Sequence, residues 1–209
     1  MISDFEGGKI SLNVVGSRGG AWYSYNDETG TQTPAPAATV TPDAAAGGAC
    51  STSYALRTTG TTFTSWGAGV GTGLVPSVAG KKVPYSAAAY MGISFQARAS
   101  AKMSVRFSVA DVNTSPDAAK CTKCDDRHGK TISLGTTWQR YTIPFTAMRQ
   151  DGWGDPQAVF DRAQIYAIQF QISTNQPAFD MWIDEVAFYK TAPAQDAAVP
   201  ADPADAGVQ

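Results

Sequence analysis

In four stretches of the chain, polar residues including glutamine or arginine alternate with an apolar row. "GISFQAR" sets Ser94, Gln96 and Arg98 against Ile93, Phe95 and Ala97, and "KMSVRFSVAD" sets Ser104, Arg106 and Ser108 against Met103, Val105, Phe107 and Val109. "WQRYTIPF" leaves Trp138, Arg140 and Thr142 opposite Tyr141, Ile143 and Phe145, while "IYAIQFQIS" leaves Ala167, Gln169 and Gln171 opposite Tyr166, Ile168, Phe170 and Ile172. Successive strand residues point to opposite faces, so each stretch has a polar side that escapes the core. Planar amides and guanidinium groups offer multidentate hydrogen bonds matching vicinal hydroxyls, and an indole stacks on the apolar face of a pyranose. That inventory suits a sugar. Any solvated sheet face is polar, but such faces favour Thr, Lys and Glu, and lysine is nearly absent from these rows.

If the four strands lie in one sheet, its outer face carries Gln96, Arg98, Arg106, Arg140, Gln169 and Gln171, with Trp138 near one end. Trp66 in "FTSWGAGVG" and Trp153 in "DGWGDP" sit among glycines, where a large ring has little local packing. Either they rim a cleft or they plug an end of the fold, and Trp22, Tyr23 and Tyr25 in "GGAWYSYND" pose the same choice. Asp111, Trp66 and Trp153 complete the expected contact set.

Two further acids stand in apolar settings, Glu6 in "DFEGG" and Asp184 in "WIDEV". In "MWIDEVAFY" the core row starts from either Trp182 or Ile183. A buried carboxylate needs a partner, and Glu6 and Asp184 with backbone carbonyls would offer Ca²⁺ the oxygen ligands it prefers. The other reading is two surface acids on terminal strands. "CTKCDDRHG" holds Cys121, Cys124 and the single His128, with Cys50 distant. One disulfide is expected, between Cys121 and Cys124 or to Cys50, ahead of a Cys₃His zinc site or a redox centre. No βαβ pattern surrounds the C-x₂-C.

Catalysis lacks its usual parts. No strand of the polar face pairs two carboxylates as glycoside hydrolysis requires, and nucleophile elbow, HExxH, P-loop and dinucleotide motifs are all missing. A jelly-roll lyase or glycosidase using loop acids such as Asp111 and Asp126 is the competing reading, and a surface adhesion domain with a protein partner is another.

These residues need a scaffold, and 209 residues with 43% hydrophobic content allow one substantial core plus tails. Formal charge of −2 argues against nucleic-acid or anionic-membrane partners. No apolar run approaches the roughly 20 residues that span a bilayer, and the start lacks a signal peptide's basic and apolar regions, so a mature, possibly excised segment is expected. Charged residues make up only 16%, and Gly, Pro, Thr and Ser are abundant, as in extracellular β domains. Secretion and a monomer are the expectation. The chain divides into a domain over 1–190, with a Pro/Ala-rich loop at 29–49, and an Ala/Pro/Asp-rich linker over 191–209. About eight strands are predicted, in "KISLNVVG", "YALRTTG", "YMGISFQARA", "KMSVRFSVAD", "TISL", "QRYTIPF", "IYAIQFQI" and "DMWIDEVAFYK", without a convincing amphipathic helix. That pattern gives an all-β fold, an antiparallel β-sandwich.

The order "DFEGG", "YALRTTGTTFTSWGAGVG", "YMGISFQARA", "VRFSVADVNT", "TTWQRYTIPFTAM", "YAIQFQI", "FDMWIDEVAFY" resembles the jelly-roll carbohydrate-binding modules of the galactose-binding-like superfamily, most of all the family 11 modules that bind β-glucans. The resemblance runs over nearly all of Ser3 to Tyr189. It implies two antiparallel sheets, a concave face gripping one glycan chain of β-glucan or cellulose type, and commonly a structural calcium held by acids of the first and last strands. By position those acids are Glu6 and Asp184, and the concave-face strands are those of Arg106, Arg140, Gln169 and Gln171. It further implies a non-catalytic module in a bacterial polysaccharide-degrading system, joined to a catalytic module. The Pro/Ala insertion and the "CTKCDDRHG" loop depart from the family pattern.

Overall fold

The structure is a computed structural model that describes residues 1–36, 47–157, 159–174 and 178–191. Among these residues ten strands form: β1 (Trp22–Asn26), β2 (Thr31–Thr33), β3 (Leu56–Thr61), β4 (Ala68–Gly73), β5 (Gly92–Ala99), β6 (Met103–Asp111), β7 (His128–Leu134), β8 (Gln139–Pro144), β9 (Ile165–Ile172) and β10 (Ala178–Tyr189). They make two antiparallel five-stranded sheets, ordered β1-β4-β9-β6-β7 and β2-β3-β10-β5-β8. The expected β-sandwich is the fold. The tail beyond 191 and residues 37–46 of the Pro/Ala segment lie outside the described residues, and β2 occupies part of that segment.

The apolar rows read from the sequence fill the space between the sheets. Phe95 of β5 meets Phe107 of β6 and Phe170 of β9 with ring centroids 5.1 and 4.8 Å apart, and Phe107 lies 5.2 Å from Phe170. All three are essentially inaccessible to solvent. Trp22 plugs this core, packed on Phe5 and Phe170. The ambiguous phase of β10 resolves with Met181 and Ile183 inward at 0% exposure, which turns Trp182 and Asp184 toward the outer side.

Three local readings change. "KISLNVVG" is no ladder strand, since it makes only bridges such as Ser11 to Ala21 and Val15 to Arg18, although Leu12 still reaches the core. β1 and β4 escape a search for polar/apolar alternation because "WYSYN" reads as an aromatic cluster and "AGVGTG" as a loop. In β9, a register shift against Ala110 and Asp111 displaces Tyr166 from the main core. It packs instead with Ala110, Val112 and Ala167, as expected when a bulge re-aims side chains.

Replacing Phe95 by Ala should cost about 3–5 kcal/mol in urea unfolding. A loss under about 1 kcal/mol would show that the aromatic contact between the sheets is not what holds them.

Candidate functional site: a cleft over one sheet

The outer face of the sheet β1-β4-β9-β6-β7 is a groove with a cavity volume of about 320 Å³ bounded by Trp66, Arg106, Arg127, Trp153 and Gln171. An adjoining lobe of about 540 Å³ runs toward Tyr25 and Gln169. Trp66 and Trp153 stay 45% and 58% exposed, so both offer ring surface to a ligand.

Gly69, Gly71 and Gly73 are the outward positions of β4, and at the first two the absence of a side chain is required. A Cβ at Gly69 would lie 2.6 Å from the Tyr25 hydroxyl oxygen, and one at Gly71 would lie 2.8 Å from the Gln169 side chain and 3.1 Å from the Tyr23 hydroxyl. This glycine track lets the tyrosines of β1 lie across β4, so that Gln169 Nε2 donates to the Tyr23 hydroxyl at 3.1 Å. Tyr25 in turn stacks on Trp66 with centroids 6.0 Å apart. The result is a floor of amide and phenol groups continuous with an aromatic wall.

Each tryptophan loop is held by a carboxylate. Asp27, just after β1, accepts the amides of Ser65 and Gly67 at 3.0 and 2.7 Å and so fixes Trp66 between them. Gln171 Nε2 donates to the Trp66 carbonyl at 3.0 Å. Asp126, buried before β7, accepts the amides of Asp151, Gly152 and Gly154 at 2.9, 2.8 and 3.0 Å, a cradle around Trp153. Burial alone would raise both acids, but hydrogen bonds outweigh it. The Thr29 hydroxyl and the amides of Gly67, Thr29 and Ser65 lower Asp27 to about 2, and the amides of Gly154, Asp151, Gly152 and Trp153 lower Asp126. Arg106 ties the floor to the same rim, donating to the carbonyls of Arg127 and Arg149 at 3.1 and 2.8 Å and pairing with Asp151 at 2.9 Å. Arg127 pairs with Asp125 beside it.

Of the residues expected from the sequence, Arg106, Gln169, Gln171, Trp66 and Trp153 therefore meet in one cleft. Gln96, Arg98, Trp138 and Arg140 do not join them. Gln96 and Arg98 lie on β5, Arg140 on β8 and Trp138 just before it, all in the other sheet, so these side chains face away on the far side of the molecule. Alternation gives each strand a polar side but carries no information on which sheet that strand enters. Gln96 is 7% exposed and its Nε2 donates to Cys50 Sγ at 3.4 Å. Asp111 is also corrected. It is fully buried, with Oδ1 accepting the amides of Asn113 and Thr114 and the Thr114 hydroxyl, and Oδ2 accepting the Asp161 amide. It anchors a turn and cannot reach a ligand. Sequence reading missed Asp27, Asp126 as an anchor, and Arg127. The usable signals were the alternating glycines of "AGVGTG" beside "WYSY" and the acids near each glycine-flanked tryptophan.

The proposed zinc ligands do not converge. Cys121 and Cys124 form a disulfide, Cys50 is an exposed thiol next to Gln96, and His128 is buried against Phe160 with burial lowering its pKa. Among the described residues no helix is long and apolar enough to cross a membrane.

Glu6 and Asp184 grip one loop from its two ends. Glu6 Oε1 accepts the amides of Ser53 and Tyr54, each at 3.0 Å. Asp184 accepts the Ala49 amide at 2.8 Å and the Thr52 hydroxyl at 3.0 Å. The first segment and the last strand meet here, with Ser3 bridged to Val186 at an irregularity of β10. Asp184 is 0% exposed, and burial pushes its carboxyl up to about 6. Among the described residues no group of three or more His, Cys, Asp or Glu forms a ready cation cluster, so backbone and hydroxyl oxygens of the loop would have to supply the remaining ligands.

Because Asp27 binds its proton near 3.8 when unfolded and only near 2 when folded, its contribution is complete above about pH 4 and lost as pH falls toward about 2. The Ser65 and Gly67 amide resonances should titrate near pH 2, and titration near 4 would disprove the anchoring. Asp126→Ala should accelerate amide exchange over residues 151–154 while leaving the strands protected, and unchanged exchange there would remove Asp126 from its role.

No curated protein sequence matches the chain. Among solved structures it is similar to the family 11 carbohydrate-binding module of the cellulosomal cellulase Lic26A-Cel5E of Clostridium thermocellum, at 17% identity and TM-score 0.58, covering 91% of this chain and 94% of that one. It is likewise similar to a Clostridium thermocellum family 11 module in complex with a β-1,3-1,4-mixed-linked tetrasaccharide, at 17% identity and TM-score 0.57, covering 87% and 95%. The family 30 module of the Clostridium thermocellum cellulosomal cellulase Cel9D-Cel44B superposes with TM-score 0.53 at 12% identity, covering 85% and 96%. These likenesses establish the jelly-roll fold. The sequence model of Carbohydrate binding domain 30 matches residues 9–190. With nearly the whole folded unit inside that match, the chain belongs to the Carbohydrate binding domain 30 family and is a non-catalytic carbohydrate-binding module.

Proposed function

We propose that the cleft between Trp66 and Trp153 binds a single chain of a β-glucan, of mixed-linkage or cellulose type. The observation that carries this reading is two exposed indoles, held by Asp27 and Asp126, on either side of a floor made by Gln169, Gln171 and Arg106. Stacked indoles favour the flat, apolar faces of equatorially substituted pyranoses, and the amides read their hydroxyls. The similarity to a module solved with a β-1,3-1,4-mixed-linked tetrasaccharide supports the ligand class. An open, wet groove of this kind repays little beyond its ordering costs, so affinity should fall between micromolar and millimolar. The module acts as a monomer outside the cell, in a bacterial degradative system, where a linked catalytic module gains local concentration on the polysaccharide.

We also propose a structural calcium between Glu6 and Asp184, with oxygens of the loop they grip. A fully buried carboxylate with no cationic side chain paired to it among the described residues is what a hard cation would neutralise. Its role is to fasten the first segment to the last strand, away from the cleft.

Trp66→Ala and Trp153→Ala should each weaken binding to barley β-glucan by about tenfold or more in calorimetry without altering the unfolding midpoint. Undiminished binding in both would sink the cleft assignment. Calcium at about 1–10 mM should raise the melting temperature and chelation should lower it, an effect absent in Asp184→Asn. A wild-type chain indifferent to calcium would overturn the metal site.

A further inference from the structure

The opposite face of the sandwich carries a second constellation that the cleft does not use. Arg57 of β3, Trp182 of β10, Arg98 of β5 and Trp138 before β8 stand in one cross-strand row, as the pairing of Trp182 with both Arg57 and Arg98 and of Ala97 with Gln139 requires. The Arg98 guanidinium lies 4.0 Å from the Trp182 ring centroid and 5.3 Å from that of Trp138, and Arg57 lies 4.8 Å from Trp182. Trp182 is only 6% exposed, so its ring is covered by these cations and cannot stack on a sugar as Trp66 and Trp153 can.

What the row leaves open is guanidinium edge. Arg57 is engaged by Asp180, through Nε and a terminal nitrogen at 2.9 and 2.8 Å. Arg98, by contrast, has rings beside it but no hydrogen-bond acceptor among the described residues, and exposed Arg140, on the neighbouring strand, has none either. Arg140 pairs with Gln96, which places it diagonal to Arg98 on the same face, a separation of about 7–8 Å. A carboxylate or sulfate is the chemistry a planar five-donor fork accepts, and indole packing restricts the Arg98 side chain before any ligand arrives.

We propose that this face is a second polysaccharide site, selective for an acidic polysaccharide whose uronate carboxylates or sulfate esters bridge Arg98 and Arg140. Charge complementarity carries the assignment: among the described residues the two cations have no counter-ion, and a neutral chain would leave them unmatched. With a net charge of −2 the molecule supplies no long-range attraction to a polyanion, so binding is local, weak and sensitive to salt.

The test is affinity electrophoresis of the full chain, at low and at 0.5 M salt, through gels containing polygalacturonate, a sulfated galactan, fully methyl-esterified pectin or barley β-glucan. The expected result is retardation by polygalacturonate, the sulfated galactan or both, which identifies the anionic group, and none by the methyl ester. That retardation should vanish at high salt and fall by about tenfold in Arg98→Gln/Arg140→Gln, while β-glucan binding persists. Trp66→Ala should do the reverse. Absence of retardation by both anionic polymers, or retardation untouched by the double arginine variant, overturns the second site. Loss of β-glucan binding alone strikes only at the cleft.

Discussion

The packing of Phe95 against Phe107 and Phe170 is the contact on which the rest depends, because it joins inner strands of opposite sheets, β5 to β6 and β9, across the sandwich. Once those rings face one another, the alternation of each strand has no freedom left. Gln169 and Gln171 must leave through one outer surface, and Gln96 and Arg98 through the other. Both surfaces are thus by-products of one buried aromatic cluster, and neither can be re-registered without breaking it.

The cleft shows how few residues turn a sheet face into a groove walled by aromatic rings. Glycines on β4 remove side chains so that tyrosines from the edge strand lie flat and reach a glutamine two strands away. Carboxylates then fix the loops on either side by accepting backbone amides, a charge-assisted bond that holds an indole in place without touching its face. Rigid rings restrained before the ligand arrives reduce the entropy lost on binding, which matters most when the groove is shallow. Arg106 illustrates the same economy. It looks like a ligand contact in sequence, yet its hydrogen bonds go largely to the protein's own rim, so its contribution is to keep the floor and the Trp153 loop in register.

The two faces differ in what their tryptophans are free to do. On the cleft side Trp66 stacks on Tyr25 and both indoles stay exposed, whereas Trp182 on the far side is covered by guanidinium groups. Similar residue types therefore serve different chemistry. An exposed ring favours an apolar sugar face, while a ring covered by a cation presents the cation instead.

Much of the fold was legible because period-two alternation is a local property. Phe107 and Arg106, or Phe170 and Gln171, must part company wherever their strand goes. The family pattern likewise pointed to Glu6 and Asp184, which the fold brings to one loop although they are far apart in sequence. Strands built from glycine and aromatic residues, β1 and β4, gave no such signal, since their pattern is set by what lies across them. Sheet membership was equally hidden. Arg106 and Arg140 have the same local pattern, but hydrogen bonding to β9 puts one in the cleft and pairing with β5 puts the other behind it. Along a strand that alternates, neighbouring residues alone settle which side chains turn to the core and which turn away from it. Which of the two outer surfaces they reach is settled by pairing, because strand partners are chosen through long-range contacts that no window of neighbouring residues contains.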